Sequence, residues 1–260
     1  MAVKIGHASI DEHGRARSGS AGDQTGREVC IRDWYNKPWG AVLRPKSDTL
    51  AEKSATACEK LCKCNLVGYD QYQRNTLYSA LKEYGYDVAK YIASKRKTET
   101  DCSAFMTICA IVAGVKKLVD YIKSNQNSPT TSTMVNAFKN TGQYTVLTDK
   151  KYTTSSDYLK RGDILVSPGH HTAMALTNGP KADVKKKIDE KVEYKIGQKY
   201  TLQVDLNVRS SYSTTASIKK VFTKGKTIIC KEIKAINGNI WIKTVDGWLA
   251  AYYDRKLYIK

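Results

Sequence analysis

Apolar residues recur at helical spacing first through Ala51, Ala55, Cys58, Leu61 and Cys62. They share one face of a helix that starts at Ser47 or Asp48 and runs to about Cys64. Residues 75–92 carry Leu77, Leu81 and Val88 at core positions and predict a second helix. The most apolar stretch follows a short polar opening, Asp101-Cys102-Ser103, and runs helically to a stop at Gly114. Residues 116–124 and 134–140 predict two further helices, with a break over residues 129–132.

Strand signals bracket this helical middle. Residues 3–10 read as one strand, and a second passes through Val29 and Ile31 after the turn Gly22-Asp23-Gln24-Thr25-Gly26. Trp34, Tyr35 and Trp39 put aromatic rings in a loop, pinned to the core or in contact with substrate. Downstream, a turn ending in Gly162-Asp163 leads into the strand Ile164-Leu165-Val166. Pro168-Gly169 turns the chain into a second strand, residues 170–176, which Asn178-Gly179-Pro180 ends. Residues 181–193 are nearly all charged or small and read as a solvated linker. From Tyr194 onward, β-rich segments at residues 201–208, 218–222, 227–233, 240–245 and 248–253 alternate with turns, among them Lys224-Gly225-Lys226, Asn237-Gly238-Asn239 and Asp246-Gly247, the texture of a small all-β barrel. The expected class is α+β, with a domain over residues 1–180, a linker over 181–193 and a β domain over 194–260.

The formal charge of +18 calls for a polyanionic partner. No zinc-finger spacing or aromatic RNA-binding signature supports nucleic acid, and an anionic wall polymer fits at least as well. The start has no apolar h-region, and the longest apolar run is too short for a bilayer. Seven cysteines at irregular spacing do not read as a disulfide framework. The expectation is a protein made in the cytoplasm without a signal peptide, with no membrane insertion.

Cys102 is the candidate nucleophile. In the first turn of a helix, free backbone N–H groups and the positive dipole end favour the thiolate. Cys109 lies deeper in the apolar run and reads as core. Cys58, Cys62 and Cys64 match no common zinc pattern and read as small buried residues, so neither metal nor cofactor is expected. A cysteine nucleophile needs a base and a group that orients it. The four histidines are His7, His13, His170 and His171. His170 and His171 open a strand, so their side chains alternate: one faces a cleft, the other solvent.

Three segments now combine: Asp101-Cys102-Ser103-Ala104-Phe105, Gly162-Asp163-Ile164-Leu165-Val166 and His171-Thr172-Ala173-Met174. Together they resemble the NlpC-type branch of papain-like cell-wall peptidases, to which the CHAP amidohydrolases are related. The resemblance implies a papain-like fold with Cys102 as nucleophile and His171 as base. It implies that Asp101 and Ser103 help bind the stem peptide, the aspartate near a free amine. It also implies an oxyanion donor at Tyr69, Gln71 or Tyr72, acting with the Cys102 backbone N–H. In that family a further strand after the base carries a third polar residue, often histidine. Here the linker begins soon after Leu176, while Ile5-Gly6-His7-Ala8-Ser9 stands at the opposite end. The expectation is a circularly permuted sheet in which His7 orients His171, with Asn178 as the rival for that role.

The tail resembles bacterial SH3 domains through Leu206-Asn207-Val208-Arg209-Ser210 and Gly247-Trp248-Leu249. The combination implies a phage endolysin or autolysin that acts on peptidoglycan after release. The bond is D-Glu to diamino acid or the muramoyl–L-Ala amide. The reading from a different class is a wall-binding protein without catalysis.

Overall fold

In the N-terminal part, strand residues of alternate parity face two different layers, and that alternation builds the molecule. The computed structural model describes residues 2–182, 193–236, 239–253 and 256–260. The chain divides into two compact units, Met1–Val184 and Lys185–Lys260. Residues 183–192, most of the expected linker, lie outside the described residues.

The first unit begins with Lys4–Ala8 (β1), Val29–Asp33 (β2) and Ala41–Pro45 (β3), followed by the helix Asp48–Lys63 (α1). Next come Val67–Tyr69 (β4), Thr76–Glu83 (α2), Val88–Ala93 (α3), Thr98–Thr100 (β5) and Cys102–Val112 (α4). Lys116–Asn125 (α5), Met134–Asn140 (α6), Tyr144–Leu147 (β6) and Lys150–Thr153 (α7) lead to Ile164–Ser167 (β7) and His171–Ala175 (β8). The main sheet has the order β2-β1-β8-β7-β3-β6, antiparallel throughout. The strand that opens the chain therefore sits inside the sheet, hydrogen-bonded to the strand that His171 begins.

Val3, Ile5, Val42, Leu165, Ala173 and Ala175 pack on one face with Trp39 and Leu159. Ala8, Leu43, Ile164, Val166 and Met174 point to the other face, against α1 and α4. Gly6 lets α1 lie directly on β1, since a Cβ there would fall 2.5 Å from Cys58 Sγ. Cys58 and Cys62 are part of this core. Helix α4 is buried from Cys102 to Ile111, as a helix apolar on all sides must be.

The sequence predicts one helix over residues 75–92, but the chain forms two. Gly85 and Tyr86 take positive φ, which breaks the helical path. Asp87 then caps α3 by accepting from the Ala89 and Lys90 N–H groups. The Gly162-Asp163 turn has a structural role. Asp163 is fully buried and accepts from Arg44 Nε at 2.9 Å and Nη2 at 2.6 Å, which ties β3 to the entry of β7.

The second unit is β-rich. Its strands are Lys199–Thr201 (β9), Leu206–Arg209 (β10), Ile218–Phe222 (β11), Thr227–Ile229 (β12), Glu232–Ile236 (β13), Asn239–Lys243 (β14), Trp248–Tyr253 (β15) and Lys256–Leu257 (β16). Two segments read as single strands, 201–208 and 227–233, are each split in two. The sheet order β11-β10-β15-β14-β13 is open, with β16 on β15 and β9 paired only to β12. No pairing joins β11 to β13 among the described residues, so the expected barrel is not closed by hydrogen bonds. Tyr194, Leu202, Val208, Phe222, Ile242 and Leu249 form its core. Of the expected turn Asn237-Gly238-Asn239, the first two residues lie outside the described residues. No helix among the described residues is long and apolar enough to cross a membrane.

Candidate active site

The site is built where the N-terminus of α4 meets the start of β8. Asp101 is the N-cap of α4, and its Oδ1 accepts the Ala104 N–H at 2.7 Å. This fixes Cys102 at the first helical position, buried, where the nearby Thr172 backbone N–H favours its charged form. Thr172 follows His171, so the thiol lies beside the strand that carries the histidine.

His7 and His171 continue the parity of Ile5 and Ala173 and share one face of the sheet. His7 Nδ1 lies 3.0 Å from His171 Nε2, with the rings edge to face. Both are buried, beside Tyr35 and Trp39. The aromatic loop thus walls the histidine pair. His170, of the opposite parity, is exposed and lines a cleft of about 300 Å³ together with Cys102, Asp101, Ser103, Gln71, Tyr72, Arg74 and Arg17. Asn178 is elsewhere: it is exposed, and its Oδ1 accepts the Arg161 N–H at 2.8 Å. His13 is exposed on the loop after β1.

Asp101 and Ser103 are not free to solvent. Arg74, itself buried, donates from Nε to Asp101 Oδ2 at 2.6 Å and from Nη2 to Ser103 Oγ at 2.8 Å. Its remaining N–H groups reach Asn127 Oδ1 and the carbonyls of Ser128 and Pro129. The carboxylate expected to meet a free amine is therefore already paired with a guanidinium, which offsets its pull on a second cation. Arg74 is a site residue that the sequence reading missed.

The three oxyanion candidates separate. Tyr69 is buried close enough to Cys102 for a thiolate there to raise its own pKa. Its oxygen receives the Gln71 Nε2–H at 3.4 Å, leaving the phenol proton free to donate. Tyr72 is exposed at the cleft rim with the Arg17 guanidinium over its ring.

The electrostatics correct one expectation. Burial, and then the Asp101 charge, push the Cys102 thiol up to about 12, against the backbone N–H groups of Thr172 and Ser103. Burial lowers His171 to about 4, aided by Lys37 and Arg32. Burial, His171 and Arg32 lower His7 to about 3. At neutral pH the resting site is a neutral thiol beside two neutral imidazoles, not a preformed thiolate. What it can do is general-base chemistry, in which an imidazole takes the thiol proton as sulfur attacks.

These shifts have a consequence for stability. The unfolded chain protonates both histidines near pH 6.5, whereas the folded protein does not until pH falls to about 4 and about 3. Below 6.5 the unfolded state binds more protons, so stability falls as pH drops from 6.5 toward 4. The expected slope is about 1.4 kcal/mol per pH unit for each ring. Thermal melts from pH 7.5 to 4.5 check this, and a flat melting temperature over that window contradicts it.

A family model described as an endolysin-like domain matches residues 5–182. The chain belongs to the endolysin-like domain family. The match runs from β1 past β8, so the N-terminal strand belongs to the same family unit as the cysteine helix. Comparison with curated proteins and with solved structures gives no match. Membership in an endolysin-like family points to lysis of the bacterial cell wall, with peptidoglycan as the substrate and hydrolysis as the reaction.

Proposed function

We propose that this endolysin-like protein is a cysteine-dependent peptidoglycan hydrolase that cuts an amide bond of the stem peptide. One observation carries the reading. The Cys102 thiol, at the N-terminus of α4, lies by the backbone N–H of Thr172, the residue after His171, whose ring is in turn paired with His7. A nucleophile, a base and an orienting group are the parts an acyl transfer needs.

His171 Nε2 is engaged by His7, which leaves Nδ1 to take the thiol proton as Cys102 Sγ attacks the amide carbonyl. The Cys102 N–H and the Tyr69 hydroxyl supply donors for the oxyanion. The His171 imidazolium then protonates the leaving amine, and a thioester remains on Cys102. Water, losing its proton to His171, attacks the thioester. The acid product leaves and the thiol re-forms.

The N-terminal unit is read as a permuted papain-like domain, in which β1 takes the place of a strand after the base. The D-Glu to diamino acid bond is the first reading for the cut. The pairing of Asp101 with Arg74 weakens recognition of a free amine and keeps the muramoyl–L-Ala amide as the second. Mass spectrometry of digested peptidoglycan separates them, because the new termini name the bond.

The β-rich tail is read as an SH3-like wall-binding module. Residues 194–260 alone are expected to sediment with purified walls without releasing soluble fragments. Its exposed Lys219, Lys220, Lys224 and Lys234 face an anionic polymer, so binding should weaken as salt shortens the Debye length below about 8 Å. A tail that stays in the supernatant at low salt contradicts the assignment.

A further inference from the structure

Cys30 is a half-buried thiol for which the hydrolytic scheme has no use. It is the register partner of His7 in the antiparallel β1–β2 pair, so the two side chains share a face of the sheet. Its Sγ lies 3.6 Å from His7 Nε2, while the other nitrogen of that ring lies 3.0 Å from His171. His171, His7 and Cys30 thus stand in series, and the backbone beside His171 reaches Cys102.

The series dictates where the protons sit. For His171 to accept the thiol proton on Nδ1, that nitrogen must be bare and Nε2 must carry the hydrogen. The Nε2–H then donates to His7, whose Nδ1 must be a bare acceptor. His7 is held neutral by burial, so its single proton is on Nε2, facing the Cys30 sulfur. Burial also keeps Cys30 a thiol, a weak but sufficient acceptor. Arg32, on the same face two residues along β2, has only donors and cannot replace it.

We propose that Cys30 is a positioning residue: its sulfur accepts the His7 Nε2–H and so holds both imidazoles in the tautomers that leave a lone pair for Cys102. The inference rests on the Cys102–His171 reading. Without the sulfur, the His7 proton shifts to Nδ1 and donates to His171 Nε2. The His171 proton is then forced onto Nδ1, and an N–H faces the thiol where a lone pair is needed.

The test uses the full chain with Cys30→Ala, Cys30→Ser and Cys102→Ala. Amine release from purified peptidoglycan gives rates, and nitrogen-15 NMR of the histidines gives tautomers. In the wild type, His7 is expected in the Nε2–H form. Cys30→Ala should lower the maximal rate about tenfold to a hundredfold, on the scale of losing the outer hydrogen-bond partner that fixes the tautomer of a metal-bound imidazole. The half-saturating wall concentration should stay unchanged, and Cys30→Ser, which restores an acceptor, should recover most of the rate. An Nδ1–H form of His7 in the wild type, a full rate in Cys30→Ala, or a loss that serine does not repair overturns the inference. Hydrolysis that survives Cys102→Ala refutes the Cys/His reading itself. Hydrolysis absent there but intact in Cys30→Ala refutes only the role of Cys30.

Discussion

Cys102→Ser is expected to abolish release of wall fragments while the protein keeps its circular dichroism and melting temperature. Serine fits the same small, buried position at the first turn of α4, so packing is preserved. The chemistry is not. A hydroxyl is far less acidic than even this elevated thiol, and His171, lowered to about 4, is a weak base for it. His171→Ala should be nearly as damaging, at about a thousandfold or more. His7→Ala should cost less than either, because an orienting group contributes less than the nucleophile. His170→Ala should be mild, since that ring is exposed and is not bonded to His7. Near wild-type turbidity clearance by Cys102→Ser sinks the cysteine mechanism. A His170 variant weaker than the His171 variant moves the base to His170.

Much of the architecture was legible because it follows from periodicity. The α1 face, the buried run of α4 and the β7–β8 hairpin each carry a pattern that one element satisfies by itself. The place of β1 could be argued only from resemblance, because nothing local in residues 4–8 says which strand they pair with. The pairing is long-range, and the sheet order that brings His7 to His171 is a property of the whole unit. The split of residues 75–92 had a visible signal in Gly85, and the apolar spacing of Leu77, Leu81 and Val88 outweighed it.

The chemistry was legible only in part, for a physical reason. Cys102 and the histidines announce themselves by residue type. Their protonation does not, because it depends on how much water the fold removes. The helix N-terminus argues for a thiolate, but burial and the adjacent Asp101 argue harder for the thiol. Arg74 was invisible for the opposite reason. An arginine after a polar loop reads as solvent-exposed, and only the convergence of Asp101, Ser103 and the 127–129 loop buries it. Cys30 was hidden in the same way, as one residue of a short strand whose partner across the sheet gives it meaning.

Arg74→Ala is expected to destabilise the N-terminal unit by about 3–5 kcal/mol, the range for removing one partner of a buried ion pair. The side chain is buried, and its N–H groups serve Asp101, Ser103, Asn127 and two backbone carbonyls at once. Truncation leaves the Asp101 carboxylate buried with only the α4 N-terminus and the Ser103 hydroxyl to hold it. It also unties the 127–129 loop from the cleft. In a unit of this size, the loss corresponds to a melting temperature lower by roughly 10 °C. Arg74→Lys should restore little, because an ammonium cannot span two carboxylate oxygens, a hydroxyl and two carbonyls with three donors. The paired variant Arg74→Met with Asp101→Asn should be more stable than Arg74→Ala, since it removes the stranded charge and keeps an N-cap acceptor. Activity should fall with Arg74→Ala even where the protein remains folded. Arg74 favours the charged form of Cys102, so alkylation of the thiol by iodoacetamide should slow in the variant. Thermal melts of the full chain and alkylation rates at matched pH give both readings. An Arg74→Ala protein within 1 kcal/mol of wild type, by the sensitivity expected of ordinary surface changes, would show that the guanidinium does not organise the helix start.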